Sequence, residues 1–401
     1  MQFALHALLG LARDSHIYQI VMMLTALVIL LIGLRALFQP LILRYGGPAG
    51  DDTHGSARFA TDRETRPFVQ GGDSLLIGRD RKSGKPLRYT GPAHLLSIAS
   101  TRTGKGVGTI IPNLLDYPGP VVCIDPKGEN ARITARHRAK FGPVHVLDPF
   151  GVTGLPGAAF NPLDRIDPAG LDLADDCMTL ADALVYDAPG EAGEAHWNEE
   201  ARALISGIIL SIVTTLRDRL TLAPQAFAAQ LADMQAQGGL AARAAKRYLG
   251  KSDREAAGVL SAAQRHTHFL DSPHMTAVLG RSDFTFGDVK ARATTVYLVL
   301  PPDRLATYAR WLRLMLAQGL TELARALATS ERAVLFLLDE FAALGRLEPV
   351  ERAMGLMAGY GIHLWPILQD VHQLRALYEP RADTFLSNAG AQHVGPSAHA
   401  R

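Results

Sequence analysis

The chain has few of the residues that build disulfide scaffolds or structural metal sites. Only two of its 401 residues are cysteines, Cys123 and Cys177, and they form no Cys-x-x-Cys pair. Its fourteen histidines show no metal-ligand spacing with cysteine or acidic residues. Closely spaced thiols and histidines are what zinc sites and disulfide frameworks require. We therefore expect two buried thiols in a reducing compartment and no metal site other than one for Mg²⁺.

An excess of charge of one sign is also lacking. The chain has 41 Lys and Arg against 39 Asp and Glu, for a net charge of +2. This balance provides no long-range attraction for nucleic acid or for an acidic partner, so any such interaction must come from a local patch. Internal repeats and low-complexity tracts are absent from the sequence as well. With 48% hydrophobic residues, the chain is long enough to form a sizeable core.

The first 45 residues contain one long apolar stretch. No charged residue occurs from Ile17 to Leu34, a length close to the roughly 20 residues that cross a bilayer as a helix. A cleaved signal peptide is the alternative, but the stretch is long for one and no Ala-x-Ala site follows it. Arg13 precedes the stretch, whereas four arginines follow it, at positions 35, 44, 58 and 63. The sequence thus predicts a membrane anchor over residues 1–45, with the bulk of the chain in the cytoplasm.

A turn rich in glycine and threonine surrounds Lys105. Residues 98–109 read Ile-Ala-Ser-Thr-Arg-Thr-Gly-Lys-Gly-Val-Gly-Thr, between two apolar runs. A strand, a tight turn and a helix N-terminus together form a phosphate-binding loop, whose lysine reaches the β- and γ-phosphates. Of the pattern G-x-x-x-x-G-K-[ST], Gly104 and Lys105 match, whereas Ala99 and Gly106 replace the first glycine and the magnesium-binding hydroxyl. The predicted nucleotide-binding residues are Thr101, Arg102, Thr103, Gly104, Lys105, Gly106 and Val107.

A second motif ends in two carboxylates. Residues 334–340 read Val-Leu-Phe-Leu-Leu-Asp-Glu, which is typical of a buried parallel strand whose C-terminal tip enters an active site. Asp339 is predicted to hold Mg²⁺ and Glu340 to polarise the attacking water. The alternative is a core strand followed by a solvated acidic turn. The presence of both motifs in one chain, in this order, favours nucleotide hydrolysis.

A third apolar run, residues 362–368, is followed by Gln369. A glutamine at a strand tip beside the acidic strand can sense the γ-phosphate in NTP-driven motors, although an ordinary surface amide is the alternative. The predicted catalytic residues are Lys105, Asp339, Glu340 and Gln369.

Alternating strands and helices predict a parallel α/β sheet with functional loops at the C-terminal strand ends. Strand-like runs occur at 75–78, 95–99, 121–124, 144–147 and 294–300. Between them, residues 163–287 are alanine-rich and 3.6-periodic, so we expect an all-helical insertion, with helices at 171–186, 197–217, 224–237, 240–249 and 252–268. The predicted domains are a membrane anchor (1–45), the first part of the nucleotide-binding domain (46–163), the all-α insertion (164–288) and the second part of the nucleotide-binding domain (289–401).

Two charged regions each have two alternative roles. Lys127 and Glu129 follow the strand at 121–124, whose tip we expect beside the phosphate loop, where they contact the nucleotide or form a local salt bridge. The basic helix 132–140 either tracks nucleic-acid phosphates or is a solvated face. If the protein works as a ring, an arginine of a neighbouring subunit completes the site, and Arg352, Arg375 and Arg381 are the candidates.

Several segments together resemble the TraG-like family of type IV secretion coupling proteins. The matching segments are 54–60, 100–108, 111–115, 125–129, 160–163, 197–202, 338–341 and Gln369. The form Thr-Arg-Thr-Gly-Lys-Gly-Val is typical of that family, so Gly106 is expected there. The resemblance implies a RecA-like P-loop NTPase sheet with an all-α insertion domain, an N-terminal transmembrane helix in the inner membrane, and assembly into hexamers. It also implies an ATPase that uses ATP and Mg²⁺ to deliver single-stranded DNA with its relaxase, or effector proteins, to a type IV secretion channel.

The sequence departs from that family in two ways. Family members carry two membrane spans, whereas one full span is visible here. After Gln392 the continuation does not look like the expected apolar strand, so the chain resembles a C-terminally truncated member. A catalytically inactive receptor that recruits substrate at the membrane is therefore the alternative function. An unrelated membrane-linked NTPase such as a transporter subunit is a third reading, and no Leu-Ser-Gly-Gly-Gln-like signature supports it.

Overall fold

The computed structural model describes residues 16–45, 60–69, 74–80, 82–185, 195–211, 216–326 and 331–394. The chain divides into two compact units, residues 1–62 and residues 63–401. The start of the first family-like segment, residues 54–59, and the C-terminal residues 395–401 lie outside the described residues.

The predicted apolar stretch near the N-terminus forms one helix, α1 (His16–Tyr45). Its large apolar side chains between Ile20 and Leu34 are exposed wherever they are described. Within the part of the chain that the structure describes, no helix combines the length and the apolar character needed to cross a membrane. The helix is thus observed, whereas the transmembrane helix is not confirmed and the membrane anchor stays a prediction.

Seven strands form one sheet in which every neighbouring pair is parallel, as the alternation of strands and helices predicts. The strands are β3 (His94–Ile98), β4 (Val121–Asp125), β5 (Val144–Leu147), β6 (Thr295–Val299), β7 (Val334–Leu338), β8 (Ile362–Leu368) and β9 (Ala389–Val394). Their order across the sheet is β5-β6-β4-β7-β8-β3-β9. Every residue of β4, β6 and β7 is buried, because helices cover both faces of the sheet.

Two expectations about this sheet are wrong. The run at 75–78 does not join it but pairs with a missed strand in a separate antiparallel hairpin, β1 (Leu75–Arg79) with β2 (Pro86–Tyr89). The strand before Lys127, β4, does not neighbour the phosphate-loop strand β3, because β7 and β8 lie between them. The order of parallel strands depends on crossover helices, which local sequence patterns do not encode.

The segment after Gln392 also differs from the expectation. Strand β9 continues through His393 and Val394, which pair with Ser97 and Ile98 of β3. The break in apolar pattern therefore does not end the strand, since a strand at the edge of a sheet has one neighbour only and tolerates a more polar sequence.

The helices between α1 and the insertion are short. They are α2 (Asp62–Val69), α3 (Ile111–Asp116) and α4 (Glu129–Arg138). A π-helical turn at Gly106–Ile110 runs directly into α3. The buried amide of Asn113 on α3 pairs with Leu76 as a strand would, accepting from its N–H at 2.8 Å and donating to its carbonyl at 2.9 Å. The hairpin β1–β2 is thereby fixed to the helix that follows the phosphate loop.

The helical insertion is observed where the periodicity predicts it. Its helices are α5 (Leu173–Leu184), α6 (Ala195–Ser211), α7 (Leu216–Leu220), α8 (Pro224–Gln237), α9 (Gly239–Leu249), α10 (Asp253–Thr267), α11 (Pro273–Leu279) and α12 (Phe286–Ala291). Tyr186 and the predicted helical residues 212–215 lie outside the described residues. The domain boundaries themselves stay a prediction.

The helices of the C-terminal half surround the strands that carry the carboxylates. They are α13 (Pro302–Arg325), α14 (Glu348–Leu356), α15 (Val371–Tyr378) and α16 (Ala382–Asn388). A short 3₁₀ helix, Phe341–Leu344, follows β7 directly. Side chains alternate between the two faces along each strand, so one face packs with the helical insertion and the other forms a second core containing Cys123. Both cysteines are buried free thiols, as predicted.

Candidate nucleotide-binding site

The turn around Lys105 connects the end of β3 to a helix N-terminus. Arg102 and Gly104 have positive φ angles of 66° and 87°, a backbone region that glycine enters freely and that costs a residue with a Cβ about 1–2 kcal/mol. The turn is closed by Ser100, whose carbonyl accepts from the Thr103 hydroxyl at 2.7 Å. The strained residue Arg102 is thus enclosed by a hydrogen-bonded turn, which is the shape of a phosphate-binding loop.

The helical turn after Lys105 presents backbone N–H groups to the same space. The first N–H groups of any helix have no intrahelical acceptor, and the helix dipole favours an anion at that end. A Cβ built on Gly106 or Gly108 meets nothing within 4 Å. The turn, the N–H groups and the Lys105 ammonium together suit a phosphate group, and nucleotide binding by residues 101–107 stays a prediction.

Lys105 lies beside the second carboxylate of the acidic motif. Its Nζ is 3.4 Å from Oε1 of Glu340, and the lysine side chain is only 12% exposed. Glu340 follows the tip of β7 and has a left-handed backbone, with φ 50° and ψ 40°. This conformation turns the chain into the 3₁₀ helix and places the Glu340 carboxylate on the phosphate loop.

Gln369 at the tip of β8 completes this group. Its Nε2 donates to Oε2 of Glu340 at 3.0 Å, and its Oε1 accepts from the Thr101 hydroxyl at 3.4 Å. The Gln369 backbone N–H donates to the side chain of Gln373 at 2.9 Å, which holds the strand tip in place. The structure thus brings together Lys105, Glu340 and Gln369 from three separate strand ends, although their catalytic roles stay predictions.

Asp339 is less accessible than its neighbour. Its Oδ1 accepts the backbone N–H of Glu340 at 3.0 Å. Burial raises the pKa of the Asp339 carboxyl; the charge of Lys105 lowers it, and the nearby Glu340 raises it further. A buried carboxylate facing a lysine is a group that a divalent cation stabilises.

Asp125 at the tip of β4 is a further acidic neighbour that the sequence interpretation did not include in the site. Ile124 pairs with Leu338 across β4 and β7, so the residues that follow them, Asp125 and Asp339, come to adjacent strand tips. Asp125 accepts the backbone N–H of Ala131 at 2.8 Å, which caps α4, and burial raises its pKa. The apolar run that precedes Asp125 in the sequence was the signal that could have placed this residue in the site.

The donor set fits a nucleotide with Mg²⁺. Among the described residues, no group of three or more His, Cys, Asp or Glu side chains is arranged to hold a metal ion by itself. Mg²⁺ in nucleotide sites needs only one or two carboxylates, because phosphate oxygens and waters provide the other ligands. Asp339 provides such a carboxylate beside the lysine. The Thr103 hydroxyl donates its proton to the Ser100 carbonyl, and its oxygen keeps its lone pairs as acceptors.

Several residues suggested by the sequence lie away from this group. Lys127 and Glu129 are exposed at the tip of β4. Arg138 is not on a charged surface of the basic helix, because it is fully buried and donates to Gly119 O at 2.6 Å and Thr295 Oγ1 at 2.8 Å. Of the candidate ring arginines, Arg381 is paired with Glu351 at 2.5 Å.

Comparison with known proteins agrees with this geometry. Residues 58–400 match the family model described as type IV secretory system conjugative DNA transfer. The conjugal transfer protein TraG of Escherichia coli is 31% identical over 321 residues, which are 72% of this chain and 50% of TraG. Protein VirD4 of Agrobacterium fabrum is 31% identical over 377 residues, 84% of this chain and 54% of VirD4. The chain thus spans about half the length of the curated relatives it matches.

Solved structures share the fold. The plasmid coupling protein TrwB in complex with the ATP analogue ADPNP superposes with a TM-score of 0.64 at 19% identity, covering 84% of this chain and 77% of TrwB. TrwB in complex with ADP and Mg²⁺ gives the same TM-score at 18% identity, with the same coverage of both chains. Because the family model covers most of its length and VirD4 is 31% identical over 84% of it, this chain belongs to the type IV secretory system conjugative DNA transfer family.

Proposed function

We propose that this protein is a P-loop ATPase that couples nucleotide hydrolysis to the delivery of DNA–protein substrates, or of effector proteins, to a type IV secretion channel. The family, the TrwB-like fold and the grouping of Lys105, Glu340 and Gln369 support the proposal. Of these, the placement of Glu340 between Lys105 and Gln369 carries the catalytic part, because it joins a phosphate-binding cation, a candidate base and a candidate sensor in one hydrogen-bonded group.

The residues of this group have distinct roles in the proposal. The backbone turn and Lys105 bind the β- and γ-phosphates of ATP, and Asp339 holds Mg²⁺. When bound, Mg²⁺ neutralises the phosphate charge that develops during phosphoryl transfer. Lys105 moves from the Glu340 carboxylate to the phosphates, since these carry more negative charge, and Glu340 is then available to accept a proton from water. Gln369 follows Glu340 and senses whether a γ-phosphate is present.

The remaining parts of the proposal rest on the family and on the sequence. Single-stranded DNA, relaxase or effector proteins and channel components are the proposed partners. Assembly into a homo-hexamer would bring an arginine of a neighbouring subunit to the nucleotide. Location at the inner membrane, with most of the chain in the cytoplasm, rests on the uncharged stretch from Ile17 to Leu34 and the arginines that follow it.

Phosphate release by the purified full chain tests the catalytic proposal. Wild type, Lys105→Ala and the control Lys127→Ala are compared with ATP and Mg²⁺, with and without single-stranded DNA. We expect release by wild type and Lys127→Ala, and a loss of about 100-fold or more in Lys105→Ala, since the cation that binds the phosphates is removed.

Equal background rates in wild type and Lys105→Ala would contradict the ATPase proposal. The protein would then be a receptor that recruits substrate without hydrolysis, which predicts that the wild-type chain still binds relaxase or single-stranded DNA. Nucleotide binding measured with a fluorescent ATP analogue separates a receptor that binds nucleotide from one that does not.

A further inference from the structure

The backbone segment that carries Glu340 is held by a buried arginine of α13. Arg313 is 4% exposed, and its Nη1 donates to the carbonyl of Leu344 at 2.9 Å and to that of Arg346 at 2.6 Å. These two carbonyls flank the end of the 3₁₀ helix that begins immediately after Glu340. A charged donor shared by two carbonyls is a strong, directional contact, so it fixes where this segment ends.

Glu340 needs such a restraint because its own backbone conformation is unfavourable. A residue with a Cβ at φ 50° keeps that conformation only when the surrounding structure imposes it. Inside the segment, Ala343 N–H donates to the Glu340 carbonyl at 2.9 Å and Gly345 N–H to the Ala342 carbonyl at 3.2 Å. Arg313 therefore acts on Glu340 through a short and continuously hydrogen-bonded stretch.

The same helix contacts the helical insertion one turn earlier. Arg310 lies three residues before Arg313 and so on the same side of α13. Its Nη2 donates to Nδ1 of His266 on α10 at 3.3 Å. Since a guanidinium only donates, the His266 ring proton is on Nε2, which donates to Asn198 Oδ1 on α6 at 2.7 Å.

His266 is held neutral in this position. Burial lowers its pKa to about 3, and the charges of Arg310, Arg265, Arg202 and Arg313 act in the same direction. The neutral His266 imidazole has one donor and one acceptor. It therefore joins the Asn198 side chain of the insertion to the Arg310 guanidinium of α13 in a single arrangement. Both His266 and Asn198 are 1% exposed, so water does not compete for these hydrogen bonds.

Space for movement lies next to this connection. A cavity of about 460 Å³ is lined by residues of α5, α6, α13 and the segment after Glu340, among them Arg202, Arg313 and Arg346. Helix α5 packs against α13 beside this cavity. Close-packed interfaces do not slide without losing contacts, so these elements have room to shift only where they border the cavity.

We propose that Arg313 is a positioning residue for Glu340, and that Arg310, His266 and Asn198 connect it to the helical insertion so that a movement of the insertion changes the rate of hydrolysis. This inference rests on the proposed ATPase function. It assigns a path from the helical insertion, in which no catalytic residue is predicted, to the Glu340 carboxylate, which is predicted to act on water. Because the path consists of specific hydrogen bonds, single substitutions test it.

The first test is Arg313→Lys in the full chain, with Arg304→Ala on the exposed start of α13 as the control. Lysine keeps the charge, but its shorter side chain ends before the position of Nη1, the atom that donates to both carbonyls. We expect kcat for phosphate release to fall about tenfold or more, because a small displacement of a catalytic group is costly. The affinity for a fluorescent ATP analogue should change by less than about twofold, since Arg313 does not touch the phosphate loop. A wild-type kcat in Arg313→Lys would overturn the proposal.

The second test leaves Arg313 intact and so remains decisive if Arg313→Lys does not fold. His266→Leu removes both hydrogen bonds of the ring, whereas His266→Gln keeps one donor and one acceptor. We expect His266→Leu to lower kcat without weakening nucleotide binding, and His266→Gln to restore much of it. Equal kcat values in the two variants would contradict the connection.

Hydrogen exchange provides a readout that needs no catalysis. In His266→Leu the Ala343 and Gly345 amides should exchange about tenfold faster than in wild type, while those of β7 should not change. Unchanged exchange at Ala343 and Gly345 would overturn the inference even if the enzyme is active. If wild type and Lys105→Ala release phosphate equally, the ATPase proposal fails, and the exchange result still decides whether the insertion and the Glu340 segment are connected.

Discussion

Glu340 accepts two hydrogen bonds at once, from Lys105 Nζ to Oε1 at 3.4 Å and from Gln369 Nε2 to Oε2 at 3.0 Å. In this arrangement the carboxylate that is proposed to act as a base is neutralised by the cation that is proposed to bind phosphate. In the proposed mechanism, arrival of a nucleotide separates the pair. Before that, both oxygens of the Glu340 carboxylate are already occupied as hydrogen-bond acceptors, so neither is turned to a water molecule.

Replacing this carboxylate should separate binding from hydrolysis. In Glu340→Gln one amide oxygen still accepts from Lys105, so the affinity for ATP should remain within a few-fold of wild type. The variant cannot take a proton from water, and we expect kcat to fall by about 100-fold or more. Phosphate release and fluorescent-nucleotide binding measure the two quantities, with the exposed Glu331→Gln as the control. A kcat close to wild type would show that Glu340 is not the base.

Gln369 should affect hydrolysis less than Glu340 does. Gln369→Ala removes the contacts to Glu340 and Thr101 but leaves the phosphate loop intact, so we expect kcat to fall about tenfold, the effect of losing one hydrogen bond to a charged group. Gln369→Glu should be at least as inactive, because it places a second negative charge beside Glu340. If both variants hydrolyse ATP at the wild-type rate, Gln369 is an ordinary surface amide.

Acid should destabilise the fold partly through His266. Its folded pKa of about 3 lies below the unfolded value of about 6.5, so the unfolded state binds the extra proton between these limits. The stability that His266 contributes is complete above pH 6.5 and is lost as the pH falls towards 3. Unfolding by urea between pH 7.5 and 4.5 should show a shallower loss in His266→Gln, by up to about 1.4 kcal/mol per pH unit.

Met178→Leu, at an exposed residue of α5, provides the control for that measurement. It changes no titrating group, so the pH dependence of wild type should be kept. The free energy of unfolding of His266→Gln should still depend on pH, and His363 contributes to this dependence, since burial lowers its pKa to about 4 as well. Equal slopes in His266→Gln and wild type would contradict the assignment of a neutral buried ring.

The fold was predictable where local pattern and burial coincide. The tip of β7 is marked by five apolar residues before Asp339, and the phosphate loop by glycine at the positive φ of Gly104, so both were located from the sequence. The partners of β4 and the hairpin at Leu75 were not, because parallel neighbours are set by long crossovers. Arg313 and His266 were missed for another reason: both lie in helices with several other polar residues, and a buried polar side chain cannot be told from an exposed one until its partners are known.

Trp197 of the Trp-Asn-Glu-Glu segment packs against a glycine of α10. A Cβ on Gly258 would lie 2.6 Å from the Trp197 ring. Alanine is favoured over glycine in a helix by roughly 1 kcal/mol, but overpacking against a rigid indole costs about 1–3 kcal/mol. We therefore expect Gly258→Ala to lower the free energy of unfolding by up to about 2 kcal/mol.

A matched substitution should have the opposite sign. Gly355 lies in α14, and a Cβ there meets nothing within 4 Å, so Gly355→Ala should raise the free energy of unfolding by about 0.5 kcal/mol. Urea denaturation of the two variants and wild type measures both effects. A stabilising Gly258→Ala would mean that the indole shifts without cost and that the contact does not fix α6 on α10.

Strand β6 lies between β4 and β5, yet it is made only after the whole helical insertion, since β5 ends at Leu147 and β6 begins at Thr295. During synthesis β4 and β5 are therefore made before β6, the strand that lies between them in the sheet. Their side chains lack this neighbour until the whole insertion has been made. Such long-range parallel pairing is slow and exposes chains to misassembly. The helical insertion thus determines when the sheet can close, and a chain interrupted within it leaves the ribosome with the carboxylates of β7 missing and the gap beside β4 unfilled.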